Sequence, residues 1–375
     1  MKPQTTQQHK LPAGWQKVEL GEICEVKKGS SITKEKITDG DVPVIAGGQQ
    51  PAYYHNEANR KGETITISAS GAYAGFIAYF NIPIFASDCS TIQPKGNNVF
   101  MRYIYYFLKG TQKQIYKMQR GIAQPHVYPK DLAKLKIPLP PLPTQKHIVQ
   151  ILEKAEKLKQ KRGEADKLTQ EYLKSVFYEM FYKKSELKNL KEICLKITDG
   201  THKTPKYMDE GVPFLRVTDL TNSNDSKKFI SLEEHKELIK RCRPEKGDIL
   251  YSKNGTIGVA KTIDWDYKFS IFVSLCLIKP NTKLILSKYL EFFLNTPLAL
   301  EQAGRHSKKG TITNLHLNEI NKMKIPLPPF PLQQKFAKIV EKVEKLKEKQ
   351  KESREKIDEL FNSLMQKAFK GELGI

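Results

Sequence analysis

The stretch KIPLPPLPTQKHIVQILEKAEKLKQK at Lys136–Lys161 returns as KIPLPPFPLQQKFAKIVEKVEKLKEK at Lys324–Lys349, 188 positions later and without a gap. In both copies a proline-rich strap, IPLPP, leads directly into a long charged segment with regularly spaced apolar residues. Because proline fixes φ and restrains the residue before it to extended backbone, each strap is predicted to be extended and to be followed by a helix. The repeat indicates a duplication, in which two similar modules each end in a similar helix.

The shorter motifs of the two modules also recur in the same order. LGEIC in the first module matches LKEIC in the second, and RKGETITISASGAYAGF matches EKGDILYSKNGTIGVA. Partial alternation of apolar and polar residues in short runs that end at glycines is typical of short, half-buried strands. The sequence therefore predicts a mixed α/β (α+β) fold with two homologous globular modules, related by a pseudo-two-fold internal repeat.

The segments after the straps have apolar residues at spacings of mostly three and four, which is typical of coiled-coil helices. A helix of ~38 residues extends roughly 57 Å, and one this amphipathic requires a partner. We expect Thr144 to cap the first helix and the two helices to pair antiparallel as a spacer; a coiled coil that makes a dimer is the alternative. The predicted organisation is a domain at 1–143, a central spacer helix at 144–182, a second domain at 183–331 and a C-terminal spacer helix at 332–375. The predicted seam and partner-docking positions are Ile148, Ile151, Ala155, Leu158, Leu168, Ile339, Val343, Leu346, Ile357 and Leu360.

The charge of the chain indicates an anionic partner. Lys and Arg outnumber Asp and Glu by 63 to 41, which gives a formal net charge of +22. The excess is shared, with 18 basic and 10 acidic residues in 1–143 and 26 basic and 17 acidic residues in 183–331. Two basic modules favour two contacts with one polyanion. A basic surface that serves only solubility is the alternative.

No set of catalytic residues can be assembled from the sequence. The five cysteines form no CxxC pair, the eight histidines lack metal-ligand spacing, and neither a Walker loop nor H-E-x-x-H occurs. LPPF at Leu327–Phe330 lacks the polar first residue of the Asn/Asp-Pro-Pro-aromatic motif of amino-methyltransferases, so it is assigned to the strap. We therefore expect a binding protein with no metal and no cofactor of its own.

The sequence also predicts where the protein resides. Its N-terminus is polar, without the apolar segment of a signal peptide. The longest mainly apolar run, Phe269–Ile278, is much shorter than the ~20 residues that a membrane-spanning helix needs. The cysteines are predicted to be buried structural thiols in a reducing compartment. These features predict a soluble cytoplasmic protein without a membrane segment.

Polar and basic residues in or beside glycine-containing loops are the candidates for DNA contacts. Phosphate contacts need Lys, Arg and loop amides, whereas base contacts need Arg, Lys, Asn, Gln, Ser or Thr. In the first module the candidates are Lys27, Lys28, Ser30, Thr33, Gln49, Gln50, Ser70, Tyr73, Arg120, Gln124 and His126. In the second module they are Thr198, His202, Lys203, Arg216, Thr218, Ser252, Lys253, Asn254, Thr256, Arg305, Lys308, Lys309 and Asn314. For each residue, a solvated loop position without a ligand is the alternative.

Together these motifs resemble the specificity (S) subunits of type I restriction–modification systems. The resemblance is carried by LPAGWQKVELGEI near the start, the two straps in register with their helices, ISASGAYAGF, and ITDGTHKTP in the second module, and it covers nearly the whole chain. It implies two target-recognition domains, each reading one half of a bipartite, gapped site in double-stranded DNA. It also implies that the helices set the gap between the two halves.

The resemblance further implies that catalysis belongs to partner subunits. Two modification (M) subunits, docked on the helices, bring S-adenosylmethionine and methylate adenine N6. Restriction (R) subunits use ATP and Mg²⁺ for translocation and cleavage. Three other functions stay open: the specificity partner of a type IIB-like restriction–methylation enzyme, a basic coiled-coil scaffold that binds DNA without sequence preference, and a nuclease. Salt-sensitive but sequence-blind binding would favour the scaffold.

Overall fold

The computed structural model describes residues 11–121, 124–182, 184–222, 226–306 and 314–374. The chain divides into two compact units, the first formed by Met1–Glu164 with Gln350–Ile375 and the second by Ala165–Lys349. Both boundaries fall within long helices. Each unit therefore consists of one globular domain together with a segment of each long helix.

The globular part of the first unit is built from short elements. Its strands are β1 (Gln16–Glu19), β2 (Cys24–Lys28), β3 (Val42–Ile45), β4 (Tyr53–His55), β5 (Thr64–Ser68), β6 (Ile77–Phe80), β7 (Phe85–Ala86), β8 (Cys89–Pro94) and β9 (Lys136–Leu139). Its helices are α1 (Leu20–Ile23), α2 (Met101–Gly110), α3 (Gln112–Lys117) and α4 (Pro129–Leu132), with a 3-10 turn at Lys34–Lys36, and the long α5 (Leu142–Phe181) follows. The sheet orders are β2-β8-β5-β6, β4-β3-β7 and β1-β9, and β3 and β7 are parallel.

The second unit repeats this architecture. Its strands are β10 (Glu186–Asn189), β11 (Cys194–Asp199), β12 (Val212–Leu215), β13 (Phe229–Ile230), β14 (Ile249–Ser252), β15 (Ala260–Thr262), β16 (Ser270–Ile271), β17 (Leu275–Pro280) and β18 (Lys324–Leu327). Its helices are α6 (Val217–Asn222), α7 (Leu232–Arg241), α8 (Ser287–Leu294), α9 (Pro297–His306), α10 (Leu317–Lys322) and the long α11 (Phe330–Lys370), with a 3-10 turn at Leu190–Ile193. The sheet orders β11-β17-β14-β15, β13-β12-β16 and β10-β18 reproduce those of the first unit. The predicted duplication and mixed α/β class are confirmed.

The straps are extended, as predicted, and each pairs with the strand that opens its own module. In β9 Ile137 lies opposite Val18, and in β18 Ile325 lies opposite Lys188. Proline is tolerated in these positions because each strap has a pairing partner on one side only. The carbonyl oxygens of the first strap prolines accept hydrogen bonds from the buried hydroxyls of Tyr103 and Tyr289. The straps thus connect each sheet region to the helix packed on it.

The long helices begin earlier than their sequence suggests. Helix α5 begins at Leu142 and α11 at Phe330, so Pro143 and Pro331 both lie in a first turn. Proline is accepted there because the N–H groups of the first turn have no partner within the helix. Thr144 therefore lies inside α5, and the prediction that it caps the helix is wrong. Both helices are strongly charged, and in the described part of the chain no helix has the length and apolarity needed to cross a membrane.

A buried glutamine fixes the start of each long helix. The Gln145 side-chain oxygen accepts the N–H of Phe100 (2.8 Å), and its amide donates to the carbonyls of Asn98 (3.0 Å) and Pro140 (2.9 Å). Gln333 is equally buried and makes the same three bonds in the second unit. Its partners are the N–H of Leu286 and the carbonyls of Leu284 and Pro328. One buried side chain thus satisfies three backbone groups, of which the carbonyls of Pro140 and Pro328 are bonded in fully buried surroundings.

Replacing either glutamine with leucine is expected to destabilise its unit. The change Gln145→Leu or Gln333→Leu leaves three backbone groups without this partner, one of them the buried carbonyl of Pro140 or Pro328, at a cost of about 1–3 kcal/mol in the free energy of unfolding. Chemical denaturation followed by circular dichroism measures this loss. The control is Gln160→Leu, at an exposed position of α5. Equal stability of Gln145→Leu and Gln160→Leu would contradict the assigned role.

The two long helices run antiparallel within each unit. In the first unit Ile148 of α5 belongs to the same core as Met365 of α11, and Lys159 pairs with Asp358 at 2.6 Å. In the second unit the ring of Phe177 packs on that of Phe336, with 5.6 Å between centroids. These contacts close the core of each domain over a helix pair, as the apolar spacing of three and four residues predicts.

The cysteine thiols are structural. Cys24, Cys89, Cys242 and Cys276 are buried, whereas Cys194 is partly exposed. Burial raises the pKa of Cys24 and of Cys194 to about 12. Since the thiolate is the reactive form, these groups stay protonated and unreactive at neutral pH.

Candidate nucleic-acid interface

In the first unit, strand register brings the candidate loops to one edge of the sheet. Lys28, at the end of β2, lies opposite Ser90 near the start of β8. Ser68, at the end of β5, lies opposite Cys89. The loops that follow β2 and β5 and the loop that precedes β8 therefore lie side by side.

Two glycines permit the close approach of these loops. A Cβ atom on Gly29 would overlap the carbonyl oxygen of Ser87, and the Gly29 N–H donates to the carbonyl of Cys89 (2.8 Å). Gly71 has φ of +79° and donates its N–H to the carbonyl of Pro125 (3.2 Å). A side chain at Gly29 would displace the loop, whereas at Gly71 the left-handed φ alone favours glycine.

Ser70, Arg120 and His126 are brought together at this edge. Ser70 and His126 form a backbone bridge, and Arg120 and His126 exchange two backbone hydrogen bonds of 2.8 and 2.9 Å. The Ser70 hydroxyl is hydrogen-bonded to the carboxylate of Asp88. Asp88 is absent from the sequence-based candidates, although its position between β7 and β8 places it against a candidate loop. Tyr73 presents a half-exposed ring beside the same turn.

The remaining candidates of the first unit lie in exposed positions. Gln49 and Gln50 follow β3 in a loop whose Gly47 adjoins Ser70 and Asp88. Ser30 is exposed and is held by its N–H to the carbonyl of Ala86, and Gln124 is also exposed. Lys27 forms an exposed ion pair with Glu25 of its own strand (2.8 Å), and Thr33 precedes the 3-10 turn. Each of these side chains is accessible to a ligand.

The second unit builds the same edge with different side chains. Gly200 donates its N–H to the carbonyl of Leu275 (3.3 Å), as Gly29 does in the first unit, and Gly255 has φ of +74°. Asn254 and Asn314 form the backbone bridge that corresponds to Ser70 and His126. Their side-chain oxygens are shielded from solvent and accept no hydrogen bond from the described residues. Both asparagines are partly buried.

A buried carboxylate organises the cations of the second unit. Asp199 is 3% exposed and pairs through one oxygen with the Arg241 guanidinium. Its other oxygen lies 3.0 Å from Nε2 of His202 and 3.6 Å from Nζ of Lys253. Asp199 and Arg241 are absent from the sequence-based candidates; a signal for Asp199 is its place three residues before His202, in T-D-G-T-H. The carboxylate orients the two cationic side chains of Arg241 and Lys253 and the imidazole of His202, of which His202 and Arg241 reach solvent.

Three predicted contact residues are buried, which corrects their assignment to exposed loops. Thr198 is buried near the end of β11, and Ser252 is fully buried at the end of β14. Lys253, the next residue, is only 4% exposed. The Ser252 hydroxyl accepts the N–H of Val259 (2.8 Å). The first strand continues to Asp199, directly before Gly200, and the second ends at Ser252, so these side chains lie in the packed interior. They hold the loops in place.

The other candidates of the second unit vary in exposure. Lys203, Thr256 and Thr218 are exposed, the last on α6. Arg216 is half-buried, and its N–H donates to Asp219 (2.8 Å). Arg305 lies near the end of α9, whereas Lys308 and Lys309 lie outside the described residues. Across the described ranges, no group of three or more His, Cys, Asp or Glu side chains could hold a metal ion.

The chain matches one family model twice. The model of the type I restriction modification DNA specificity domain matches residues 12–170 and 182–359. Each match covers one candidate edge and one strap with most of the helix that follows it. The duplicated architecture is therefore the architecture of two such domains in one chain.

Curated relatives cover nearly all of the chain. The specificity subunit of the type I restriction enzyme EcoKI from Escherichia coli K12 is 23% identical, over 97% of this chain and 90% of its own. The MjaVIII specificity subunit from Methanocaldococcus jannaschii is 22% identical, over 98% of this chain and 94% of its own. The EcoBI specificity subunit from Escherichia coli is 21% identical, over 96% of this chain and 86% of its own.

Two solved structures share the fold. The S subunit of a type I restriction–modification system from M. genitalium has a TM-score of 0.59 at 18% identity and covers 98% of this chain and 99% of its own. A chain solved in work on complex assembly and conformational transition of the type I R-M system has a TM-score of 0.64 at 21% identity. It covers 97% of this chain and 100% of its own. At these identities the likeness concerns the fold.

Proposed function

The chain belongs to the type I restriction modification DNA specificity family, and from this premise we propose that it is the sequence-specific DNA-recognition subunit of such a system. Each unit reads one half of a bipartite, gapped site in double-stranded DNA. The observation that carries the proposal is the pair of equivalent recognition edges with different side chains. Ser70 and His126 bridge one edge, whereas Asn254 and Asn314 bridge the other. The two edges share a backbone arrangement but present different side chains, as is expected when two half-sites differ in sequence.

We assign the functional parts of the chain as follows. Residues 1–143 and 183–331 are the two target-recognition domains, and 144–182 and 332–375 are the spacer helices that set the gap between half-sites. The buried carboxylate Asp199 supports readout in the second domain, because it restrains the side chains of His202 and Arg241. Preorganised side chains lose less entropy when they bind.

The outer faces of the spacer helices are the proposed docking sites for two M subunits. Ile148, Ala155 and Val343 of the predicted seam are buried. Leu158, Leu168, Leu346 and Leu360, by contrast, are each more than 40% exposed. Exposed leucines on a Lys- and Glu-rich helix surface are available for a partner that combines apolar and charged contacts.

Catalysis is assigned to partner subunits, and this chain acts in the cytoplasm as a non-catalytic component. The M subunits bring S-adenosylmethionine and methylate adenine N6 near each half-site. The R subunits bring ATP and Mg²⁺ for translocation and cleavage. The chain's own contribution is to hold those subunits at one DNA sequence.

The test is single-molecule mapping of N6-methyladenine in the host genome with and without the gene. Deletion is expected to remove methylation from one two-part, gapped motif and to leave other motifs unchanged. Complementation with a chain that carries residues 1–143 from another family member should change one half of the motif only. Methylation that persists at every motif after deletion, in cells with an active modification subunit, would overturn the proposal.

A further inference from the structure

The first unit contains a basic groove outside the candidate interface residues, with the exception of Arg120. It has a volume of about 690 Å³ and lies between α3, α4 and the β1-β9 ribbon. Its cations are Lys17, Lys117, Arg120, Lys134 and Lys136. All five are exposed. We refer to it as the lysine groove.

The positive charge of the lysine groove is largely uncompensated. The carboxylate that lines the groove belongs to Asp131, and one of its oxygens lies 2.9 Å from a guanidinium nitrogen of Arg120. Within the described residues, none of the four lysines lies within 4.0 Å of a carboxylate oxygen. Clustered cations in a concave surface create a positive potential that attracts anions. The arrangement therefore favours a ligand with several negative charges.

The second unit lacks one of these lysines at the equivalent place. Lys17 lies opposite Pro138 in the first ribbon, and Leu187 lies opposite Pro326 in the second. Leu187 is 58% exposed and lines a cavity of about 440 Å³ whose wall combines four aromatic side chains with Glu301, Gln302 and Lys324. Lys134 and Lys136 recur as Lys322 and Lys324 at the 188-residue offset, so the difference between the two units at this place is Lys17 against Leu187.

The groove adjoins the recognition edge through Arg120. The Arg120 side chain lines the groove, while its backbone exchanges hydrogen bonds with His126 at the edge. We propose that the lysine groove binds the phosphodiester backbone of the DNA that flanks the half-site read by the first unit. This inference rests on the proposed function and adds to it a sequence-independent contact. Phosphate contacts of this kind supply affinity and register without specifying bases.

The test measures DNA binding by the full-length chain as a function of salt. The variant is Lys117→Gln with Lys134→Gln, and the matched control is Lys61→Gln with Lys154→Gln, which removes the same charge from exposed positions elsewhere in the first unit. Fluorescence anisotropy is recorded on a duplex with the methylated motif and on a scrambled duplex, between about 50 and 200 mM salt. Circular dichroism melting confirms that both variants fold.

The groove variant is expected to bind both duplexes roughly tenfold or more weakly near 0.1 M salt. The slope of log affinity against log salt should fall in magnitude by about 1.8, which corresponds to two phosphate contacts. The preference for the motif should be unchanged, and the control should bind like the wild type. Loss on the motif duplex alone, or no change in slope, overturns the phosphate assignment while leaving the proposed function intact. A wild-type chain that does not prefer the motif contradicts the proposed function instead, and the slope on the scrambled duplex still tests the groove.

Discussion

Replacing Asp199 with alanine is expected to lower the free energy of unfolding of the second unit by about 3–5 kcal/mol. The carboxylate is buried and lies 3.6 Å from Nζ of Lys253, which is itself only 4% exposed. Without Asp199 the ammonium group of Lys253 is left buried and unpaired. Such a charge costs far more free energy than the loss of an exposed ion pair. Thermal denaturation of the full-length chain measures the change.

The control for this prediction is Asp266→Asn, which removes an exposed ion pair with Lys246 in the same unit. It should leave the stability of the chain almost unchanged. Adding Lys253→Met to Asp199→Ala should restore much of the stability, because the double variant contains no buried unpaired ammonium. Restored stability should not restore recognition, since His202 and Arg241 still lack the carboxylate that orients them. If Asp199→Ala alone melts like the wild type, the buried ion cluster does not hold this unit together.

Lengthening both spacer helices is expected to move methylation to a different site. The change inserts four residues after Lys161 in α5 and four residues before Lys356 in α11. These two positions face each other, because Lys159 of α5 pairs with Asp358 of the antiparallel α11. Four residues add about 6 Å and about one helical turn, which preserves the apolar stripes. Methylation of the original motif should fall more than 100-fold. A motif with the same half-sites and a gap longer by about one or two base pairs should take its place.

Single insertions serve as the control for the spacer. Four residues near Lys161 in α5 alone should also lengthen the gap, but they shift one helix against the other, so methylation of the new motif should be weaker than with both insertions. Mapping of N6-methyladenine reports all three variants in one assay. Continued methylation of the original motif by the double insertion would show that the helices do not set the gap.

Much of the fold could be predicted because its strongest signals are local. The prolines of the straps restrict their own backbone, and apolar residues at spacings of three and four define a helix stripe without reference to the rest of the chain. Because the strap and the helix stripe occur twice, each copy supports the prediction made from the other. The start of α5 was predicted less well, since Thr144 has the side chain of a cap but the backbone bonds there are made by Gln145 from inside the helix.

The candidate site was predicted in part, for a related reason. Glycines marked the loops correctly, because a left-handed φ or a close backbone contact is a local requirement. Ser252 and Lys253 were misplaced, since polar side chains at a strand end give no sign of whether they face the core. Asp199 and Arg241 were missed because 42 residues separate them in the chain, and only folding brings their charges together.

The sequence by itself determined the duplication, the mixed α/β class, the straps, the two long helices and the basic character of both domains. Each follows from the residue types and their spacing along the chain. The tertiary structure alone decided which loops share an edge, which polar groups are buried, and that Lys17 joins four other cations in one groove of the first domain. These properties depend on contacts between distant segments, whose free energies are set by burial and by neighbouring charges rather than by local pattern.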